Sequence, residues 1–359
     1  MRIAISTGGG DAPGLNAVIR AAVLSAHQRG WRSYGIQRGF EGLLSFDGVI
    51  PLGPDQVRGI THLGGTILGT TNRGNPFRYV RRDEQGLEYE CDRSDDLVAA
   101  FHASGFEALV SIGGDGSLQI AHELSLKGVP VVCVPKTIDN DVSGTQRTFG
   151  FDTAVSTATD ALDRLHSTAE SHDRVLVVEL MGRHAGWIAL NSGISGSADV
   201  ILIPEIPFDI SKVCAKILER ERAGRRFSIV VVAEGAAPVD GAIALVERRG
   251  VGTVDRLGGI ASQVARAIGE ATGKETRTLV LGHLQRGGSP TTYDRLLALR
   301  FGAAAVRAIA DQAFGCMVGL NGPTITRVPI ADVIGKTKNV PLDSDTIKTA
   351  RELGISLGD

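Results

Sequence analysis

The stretch that decides the fold is residues 3–27, IAISTGGGDAPGLNAVIRAAVLSAH. It begins with the short apolar run Ile3-Ala4-Ile5, which the glycine-rich turn Gly8-Gly9-Gly10-Asp11 follows. From Leu15 to His27 the apolar residues recur every three or four positions, which is the period of one helix face. A strand, a glycine loop and a helix in this order begin a βαβ unit. The stretch therefore predicts an α/β protein with a parallel sheet.

The same alternation of apolar runs and helical patterns continues along the chain. Most of the runs are continuous rather than alternating, as expected for strands that are covered on both faces. We predict further strands at residues 108–112, 129–134, 175–180, 200–203, 229–233 and 278–281, and further helices at residues 117–127, 153–169, 213–222 and 257–272.

The composition is that of an ordinary globular protein. A chain of 359 residues is long for one core and short for three, so we expect one or two domains. With 43% hydrophobic and 22% charged residues, the chain can bury a large core, which excludes disorder. The net charge of −2 and the scattered basic residues exclude nucleic acid and anionic membrane as expected partners. The N-terminal residues contain no signal-peptide core, and no apolar run reaches about 18 residues. We therefore expect a cytoplasmic protein.

Glycine is the residue type that departs from the average. The 46 glycines are about 13% of the chain, against a usual share of about 7%. They cluster directly after predicted strands, at the carboxyl ends where open parallel sheets bind their ligands. We therefore expect the glycine loops to converge on one crevice. The four cysteines lie far apart without a CxxC pair, so they predict neither a zinc site nor a disulfide.

Two of these loops suit phosphate groups. Residues 8–14, GGGDAPG, let backbone N–H groups approach a phosphate at the start of a helix, although they match neither a Walker A loop nor a GxGxxG fingerprint. A tight turn with Pro13 starting the helix is the structural alternative. In Gly113-Gly114-Asp115-Gly116-Ser117, the Asp115 carboxylate is the candidate magnesium ligand, and helix capping is its alternative.

The third loop carries the strongest chemical signal. It is residues 135–141, PKTIDND, in which Asp139 and Asp141 lie two positions apart beside Thr137 and Lys136. One carboxylate can take a proton from an attacking hydroxyl while the other helps to hold a metal ion. An Asx-turn is the structural alternative. Cationic residues later in the chain suit a phosphorylated substrate: Arg174, Arg183, Arg277 and the group in residues 283–290, HLQRGGSP. The Glu234 carboxylate suits a sugar hydroxyl.

Together these motifs resemble those of the phosphofructokinase family from Gly8 to about Met317. The resemblance implies two parallel-sheet α/β domains with the active site in the cleft between them. It implies a donor domain of residues 1–150 and 285–335, and a fructose 6-phosphate domain of residues 151–284 and 336–359. The implied activity is transfer of a phosphoryl group from ATP, with Mg²⁺, to the 1-hydroxyl of fructose 6-phosphate.

The resemblance also implies residue roles. Asp139 matches the general base, with Thr137 and Asp141 beside it, and Asp115 matches the magnesium ligand. Donor contacts are matched by Gly10, Arg73, Gly116, Ser117 and Lys136. Sugar-phosphate contacts are matched by Thr137, Asp139, Met181, Gly182, Arg183, Glu234, His283 and Arg286, with Arg183 also placed among the catalytic residues. Arg174 and Arg277 match residues that the family brings from a neighbouring subunit, which implies a homo-oligomer, a tetramer or a dimer, with shared sites.

Two positions give opposite indications about the donor. Members that use ATP usually have glycine where this chain has Lys136, and members that use pyrophosphate have lysine there with aspartate in place of Gly116. This mixture resembles the subgroup in which the donor varies between relatives. We expect ATP, with pyrophosphate as the alternative donor. Two rival functions explain the sequence less well. A non-catalytic sugar-phosphate sensor does not explain the carboxylates of the third loop, and an NAD kinase does not explain the 283–290 segment.

Overall fold

The computed structural model describes residues 1–45, 47–71, 74–247 and 256–359. The strands are β1 (Arg2–Thr7), β2 (Arg32–Ile36), β3 (Val49–Leu52), β4 (Tyr79–Arg82), β5 (Glu88–Cys91), β6 (Ala108–Gly113), β7 (Val131–Pro135), β8 (Val175–Leu180), β9 (Val200–Leu202), β10 (Ser228–Ala233), β11 (Leu245–Glu247), β12 (Arg256–Leu257), β13 (Thr276–Val280), β14 (Cys316–Asn321) and β15 (Thr324–Pro329). The helices are α1 (Leu15–His27), α2 (Ser94–Ala103), α3 (Asp115–Leu126), α4 (Phe151–Ser171), α5 (Trp187–Ser195), α6 (Ile210–Arg222), α7 (Ile260–Thr272), α8 (Thr292–Ala310) and α9 (Asp345–Glu352). Short 3-10 helices lie at Gly39–Leu44, Pro76–Arg78, Gly282–Arg286 and Ile330–Asp332.

The larger sheet has the strand order β15-β14-β7-β6-β1-β2-β3. Its inner strands are parallel, and β15 and β3 pair antiparallel at the two edges. Alternate side chains of β1 enter different cores: Ile3 and Ile5 lie in the core that includes Leu15 of α1 and Phe301 of α8, whereas Ala4 lies in the opposite core. Both faces are therefore covered, which explains why the strands read as continuous apolar runs.

The smaller sheet has the order β13-β8-β10-β9, and all its strands are parallel. Val177 faces a core that includes residues of α6 and α7, and its neighbour Val178 faces a core that includes residues of α4 and α5. Strand β13 forms one edge of this sheet. There Leu279 and Val280 are 38% and 54% exposed, which is unusual for apolar residues of a strand.

The predicted fold class, α/β with two mainly parallel sheets, is confirmed. The predicted bounds of helix 15–27 and strand 175–180 agree with the structure, and the other predicted elements are offset by a few residues. The predicted helix 257–272 begins three residues later, at Ile260, because Gly258 and Gly259 have φ angles of 136° and 86° that a helix cannot include. The sequence-based prediction did not include several elements: helices α2, α5, α8 and α9, and strands β2, β3, β4, β5, β11, β12, β14 and β15.

Residues 136–150 carry the chain from β7 of the larger sheet to α4 of the smaller one. The carboxyl-end loops of both sheets face this crossing segment, as the contacts below show. After it, α8 and β14 pack with the larger sheet, and Ile347 of α9 packs in the core of the smaller one. The domain boundaries stay a prediction. Within the described residues, no helix is long and apolar enough to cross a membrane.

Candidate active site

The loop after β1 is built so that other groups can approach its backbone closely. The Gly8 N–H donates to the Ile112 carbonyl at 2.9 Å, which joins this loop to the end of β6. A Cβ at position 8 would lie 2.6 Å from Ser117 Oγ, and one at Gly10 would lie 2.9 Å from Arg286 Nη1. A side chain at either position would therefore displace Ser117 or Arg286 from its observed place. The loop therefore presents bare backbone between Ser117 and Arg286.

The loop after β6 lies beside it and leads into α3. Ser117 is buried, and its side chain would collide with a Cβ placed at Gly113, which explains the glycine there. Gly116 differs, because a Cβ built on it meets nothing within 4 Å. It lies on the exposed first turn of a twelve-residue helix, whose N–H groups form a partial positive charge. Open space and helix polarity together suit an anionic ligand at this position.

Lys136 links the loop after β7 to the glycine loop. Its backbone N–H donates to the Gly113 carbonyl at 2.8 Å, and its buried ammonium donates to the Gly10 carbonyl. Burial and, to a smaller extent, the positive charge of Arg286 together lower the pKa of Lys136 to about 8. The ammonium nevertheless remains mostly charged at pH 7, because the pKa still lies above that pH. Lys136 thus places a cation directly under the glycine loop.

Asp139 is the most perturbed carboxyl group of the site. Burial raises its pKa to about 7, and repulsion from Asp141 adds to the increase, while Arg286 and Lys136 oppose it. Its Oδ1 is buried and has no hydrogen-bond partner among the described residues. A carboxylate with free lone pairs and a pKa near neutrality can accept a proton from a substrate hydroxyl.

The carboxyl ends of β8 and β10 supply the opposite wall. Gly182 has φ 139°, and the N–H of Gly235 donates to its carbonyl at 3.1 Å, so the turns after these two strands are bonded together. Burial raises the pKa of Glu234, whereas the neighbouring Arg183 and Arg286 favour its charged form. Met181 packs against the core at the same edge. Glu234 and Arg183 therefore face the same space as Asp139.

The 3-10 helix Gly282–Arg286 follows β13 of the smaller sheet and contacts the glycine loop of the larger one through Arg286. Arg286 Nη1 donates to the Asp11 carbonyl at 3.1 Å, and its charge acts on Lys136, Asp139 and Glu234. This arginine therefore stands between the glycine loop and the carboxylates. His283 lies on the exposed side of the same helix.

Arg174 and Arg277 lie elsewhere. Arg174 directly precedes β8 and Arg277 is near the start of β13, so both are at the amino ends of the parallel strands, opposite Arg183. A six-residue strand spans about 20 Å. Both guanidinium groups pair with Glu275, at 3.0 Å for Arg174, and Arg174 lowers the pKa of this carboxyl. Within one chain, Arg174 and Arg277 therefore lie away from Arg183, and their predicted contribution to the site of a neighbouring subunit stays a prediction.

Asp115 is exposed at the start of α3, and its Oδ1 accepts the Gly335 N–H at 3.3 Å. No cluster of three or more metal-binding side chains occurs in the part of the chain that the structure describes. The exposed Asp115 carboxylate suits Mg²⁺, which keeps several waters and binds through one or two carboxylates together with substrate phosphates. The predicted donor residue Arg73 lies outside the described residues.

Three groups at the site were not assigned by the sequence reading. The Asp11 carboxylate raises the pKa of Lys136 against the effect of burial. Buried Gln285 donates to the Gly282 carbonyl at 3.2 Å and so fixes the turn that carries Arg286. Lys338 reaches the loop after β7 from the C-terminal region. Asp11 and Gln285 belong to the motifs of residues 8–14 and 283–290, which could have indicated them. The sequence around Lys338 contains no such motif.

A glycine-rich loop, cations beneath and beside it, and a carboxyl group with a near-neutral pKa facing them define a phosphotransferase of the two-sheet α/β class. The comparisons with known proteins define it further. The family model described as Phosphofructokinase matches residues 2–309. The chain belongs to the phosphofructokinase family.

The similar proteins have two different donors in their names. An ATP-dependent 6-phosphofructokinase of Chloroflexus aurantiacus is 53% identical over 358 residues, covering 100% of this chain and 98% of the relative. A pyrophosphate–fructose 6-phosphate 1-phosphotransferase of Amycolatopsis methanolica is 50% identical over 346 residues, covering 95% and 96%. The crystal structure of Pichia pastoris phosphofructokinase in the T-state superposes with a TM-score of 0.80 at 31% identity; the match covers 99% of this chain and 37% of the Pichia chain. The predicted family is confirmed.

Proposed function

We propose that this chain is an ATP-dependent 6-phosphofructokinase, which transfers the γ-phosphoryl group of ATP to the 1-hydroxyl of fructose 6-phosphate. The observation that carries the proposal is Asp139, a buried carboxyl group with a pKa of about 7 that faces Lys136 and Arg286. The 53% identity to an ATP-dependent relative over the full chain supports the substrate and donor assignment.

In the reaction, Asp139 is the general base. The 1-hydroxyl oxygen forms a bond to the γ-phosphorus, the bond from that phosphorus to the bridging oxygen breaks, and the hydroxyl proton moves to Asp139. ADP leaves with the bridging oxygen. Thr137 fixes the backbone next to the base, because its Oγ1 accepts the Asp139 N–H at 3.1 Å. Asp141 raises the pKa of the base through its charge.

The cations of the site stabilise the transferred phosphoryl group. Lys136 and Arg286 donate to neighbouring carbonyls of the glycine loop, those of Gly10 and Asp11, and Arg183 lies near Glu234. Fixed cations in a water-poor site act on charge that develops in the transition state without having to reorganise. The donor phosphates would lie over the exposed backbone near Gly10, Gly116 and Ser117, and Arg73 is proposed to contact them.

Mg²⁺ is the proposed cofactor, with Asp115 as its protein ligand. Bound to the donor, Mg²⁺ would neutralise the charge of the phosphates. The exposed Asp115 carboxylate at the start of α3 suits this task, since a Cβ at its neighbour Gly116 would meet nothing within 4 Å.

The sugar phosphate is proposed to bind between the two sheets, against Met181, Gly182, Arg183, Glu234, His283 and Arg286. Arg174 and Arg277 are about one strand length from this place in their own chain. They can serve a site only if they belong to a neighbouring subunit. We therefore propose a homo-oligomer whose sites are shared, with the exposed apolar edge of β13 near the contact.

Pyrophosphate remains the second candidate donor because of one specific observation. Lys136 is buried with its ammonium bonded to the Gly10 carbonyl, where it can compensate the charge of a pyrophosphate leaving group as well as that of ATP. The 50% identical Amycolatopsis relative is named for pyrophosphate. The open space at Gly116 favours ATP, because a nucleotide needs room beyond the transferred phosphate.

The function is tested by incubating the purified chain with fructose 6-phosphate, ATP and Mg²⁺ and identifying the product by ³¹P NMR. We expect fructose 1,6-bisphosphate and ADP in equal amounts, and at least about a hundredfold less bisphosphate from the Asp139→Asn variant in the same time at the same enzyme concentration. Binding of fructose 6-phosphate without turnover would indicate a sensor instead. Phosphorylation of NAD without fructose 1,6-bisphosphate would indicate an NAD kinase.

A further inference from the structure

The C-terminal region contains a segment, residues 335–340, that crosses the loops of the site; we call it the C-terminal strap. It begins at Gly335, whose N–H donates to Asp115. Three residues later, the backbone N–H of Lys338 donates to the Asp141 carbonyl at 2.8 Å. The strap lies beyond the residues that the family model matches, which end at 309. It nevertheless contacts both acidic loops.

The strap is also attached to the smaller sheet. Trp187 Nε1 donates to the Lys338 carbonyl at 2.7 Å, and the Val340 N–H donates to Glu205 at 2.8 Å. The same Glu205 carboxylate accepts the Gly186 N–H at the start of α5. The strap is therefore held on both sides of the crossing segment, which limits how far Lys338 can move.

The Lys338 ammonium uses all its donors on the segment between β7 and α4. It donates to Asn140 Oδ1 at 2.9 Å, to the Thr145 carbonyl at 2.9 Å and to the Gln146 carbonyl at 3.0 Å. An ammonium has three N–H groups, so this set of acceptors satisfies it completely. Because three acceptors converge on this ammonium, the contact is specific and differs from an exposed ion pair at the surface.

Asn140 is the residue through which this contact reaches the base. It directly follows Asp139 and has φ 53°, in the left-handed region that asparagine tolerates but that still costs energy. Its Oδ1 accepts from Lys338 and also from the Thr148 N–H at 3.1 Å. These two donors hold the side chain and so the backbone turn that aims Asp139.

We propose that Lys338 is a positioning residue that fixes the orientation of Asp139 by holding Asn140 and the carbonyls of the following turn. The inference rests on the proposed function, because it assigns the orientation of the proposed base to a residue of the strap. Burial lowers the pKa of Lys338 to about 8, Asp141 raises it and Arg147 lowers it. The ammonium is therefore mostly charged at pH 7 and can act as a donor.

The first test compares Lys338→Met with Lys336→Met. Lys336 is an exposed lysine of the same strap, so its variant removes an equal charge without touching the Asn140 turn. We expect Lys338→Met to lower kcat at least tenfold while the KM values for fructose 6-phosphate and ATP change less than threefold, because misaligned reacting groups lose rate rather than binding. Lys336→Met should keep kcat within twofold.

A double-mutant cycle tests whether Lys338 acts through Asn140. Asn140→Gly removes the side chain and keeps a residue that accepts the left-handed φ. We expect the Lys338→Met, Asn140→Gly double variant to lose no more kcat than the more affected single variant, since both remove the same contact. Independent, multiplied losses in kcat would contradict action through Asn140.

Amide hydrogen exchange provides a readout that needs no turnover. In Lys338→Met we expect faster exchange in residues 137–148, including the Thr148 N–H, with unchanged exchange in β1 and β8. Unchanged exchange in this turn together with an unchanged kcat would overturn the proposal. If the unaltered chain fails to phosphorylate fructose 6-phosphate, the proposed function fails, while the exchange result still decides whether Lys338 holds the turn.

Discussion

At the scale of single residues, the proposed chemistry depends on Asp139 and Lys136, whose pKa values burial shifts in opposite directions. Asp139 is harder to ionise than a carboxyl in water, and Lys136 is easier to deprotonate than an ordinary ammonium. Both pKa values approach neutrality, and each group remains charged for part of the population near pH 7. This arrangement is typical of a site that moves a proton while it stabilises an anion.

Asp139→Asn tests the base directly. The amide cannot accept the hydroxyl proton as a carboxylate does, so kcat should fall about 10²–10⁴-fold while the KM for fructose 6-phosphate stays within a few-fold. In the unaltered enzyme, kcat/KM should rise with pH up to about 7, because the raised pKa leaves Asp139 protonated below that pH, and should fall above about pH 8, where the Lys136 ammonium loses its charge. Steady-state kinetics between pH 5.5 and 8.5 measure both effects. A near-normal kcat in the variant would remove Asp139 from the mechanism.

Gly116→Asp tests the donor site. A Cβ meets nothing within 4 Å there, so the fold accepts the change, but a carboxylate would repel the α-phosphate of ATP. We expect kcat/KM for ATP to fall at least tenfold, about 1.4 kcal/mol, and kcat/KM for pyrophosphate to change far less. Gly116→Ala, which adds only the methyl group, is the matched control. Equal losses with both donors would show that position 116 does not distinguish them.

At the scale of elements, the sequence predicts the parts that repeat a local pattern. Strand 175–180 and helix 15–27 are read correctly because their periodicity is uninterrupted and both faces of each sheet are covered. Helix α8 was not predicted. Its Gly302 packs against α1, where a Cβ would lie only 2.4 Å from the Val18 carbonyl oxygen. The reason for that glycine is tertiary and cannot be seen in one sequence.

The candidate site also contains parts that the sequence predicts and parts that it does not. The loops after β1, β6 and β7 were predicted to converge because the rule for parallel sheets places them at one edge. Lys338 was not predicted, since its partners are backbone carbonyls and one amide that lie about two hundred residues earlier in the chain. A contact between a C-terminal lysine and carbonyl groups leaves no pattern in either segment.

Asp294 joins the starts of α4 and α8, and its substitution tests this junction. Its buried Oδ2 accepts the Thr153 N–H at 2.7 Å and the Thr153 hydroxyl at 2.6 Å. Asp294→Ala leaves both donors buried without a partner, so we expect a loss of about 2–4 kcal/mol in the free energy of unfolding. Asp294→Asn keeps an acceptor oxygen and should lose less than about 1 kcal/mol.

The pH dependence of this junction follows from the raised pKa of Asp294, about 6, which burial causes. Ionising the carboxyl costs the folded state, and this cost grows as the pH rises from about 4 through 6. The free energy of unfolding of Asp294→Asn, relative to that of the unaltered chain, should therefore be higher at pH 7.5 than at pH 4.5. Urea unfolding at the two pH values measures this difference. An alanine variant as stable as the asparagine variant would show that the junction contributes little.

At the scale of the whole molecule, the positions of Arg174 and Arg277 require a second subunit if they are to hold the substrate. Both lie at the amino ends of strands whose carboxyl ends form the site, and the edge strand β13 next to them exposes apolar side chains. A parallel edge strand with exposed leucine and valine can pair or pack with another chain. One interface would thus bury this edge and complete the site.

Subunit mixing tests this arrangement. Arg277→Ala and Asp139→Asn subunits should each be nearly inactive alone, but mixed oligomers contain some sites in which both the base and the arginine are intact. We expect mixing under conditions of verified subunit exchange to restore a measurable fraction of the activity. The control is each variant carried through the same exchange procedure alone. No recovery in verified mixed oligomers would place Arg277 and Asp139 of one chain in the same site.

The central claim is that this fold and site perform ATP-dependent phosphorylation of fructose 6-phosphate. The most direct test measures kcat/KM for ATP and for pyrophosphate side by side, with saturating fructose 6-phosphate and Mg²⁺, on the unaltered chain. The open position at Gly116 predicts turnover with ATP and a higher kcat/KM for ATP than for pyrophosphate. Turnover with pyrophosphate and none with ATP would contradict the account and would assign the choice of donor to Lys136.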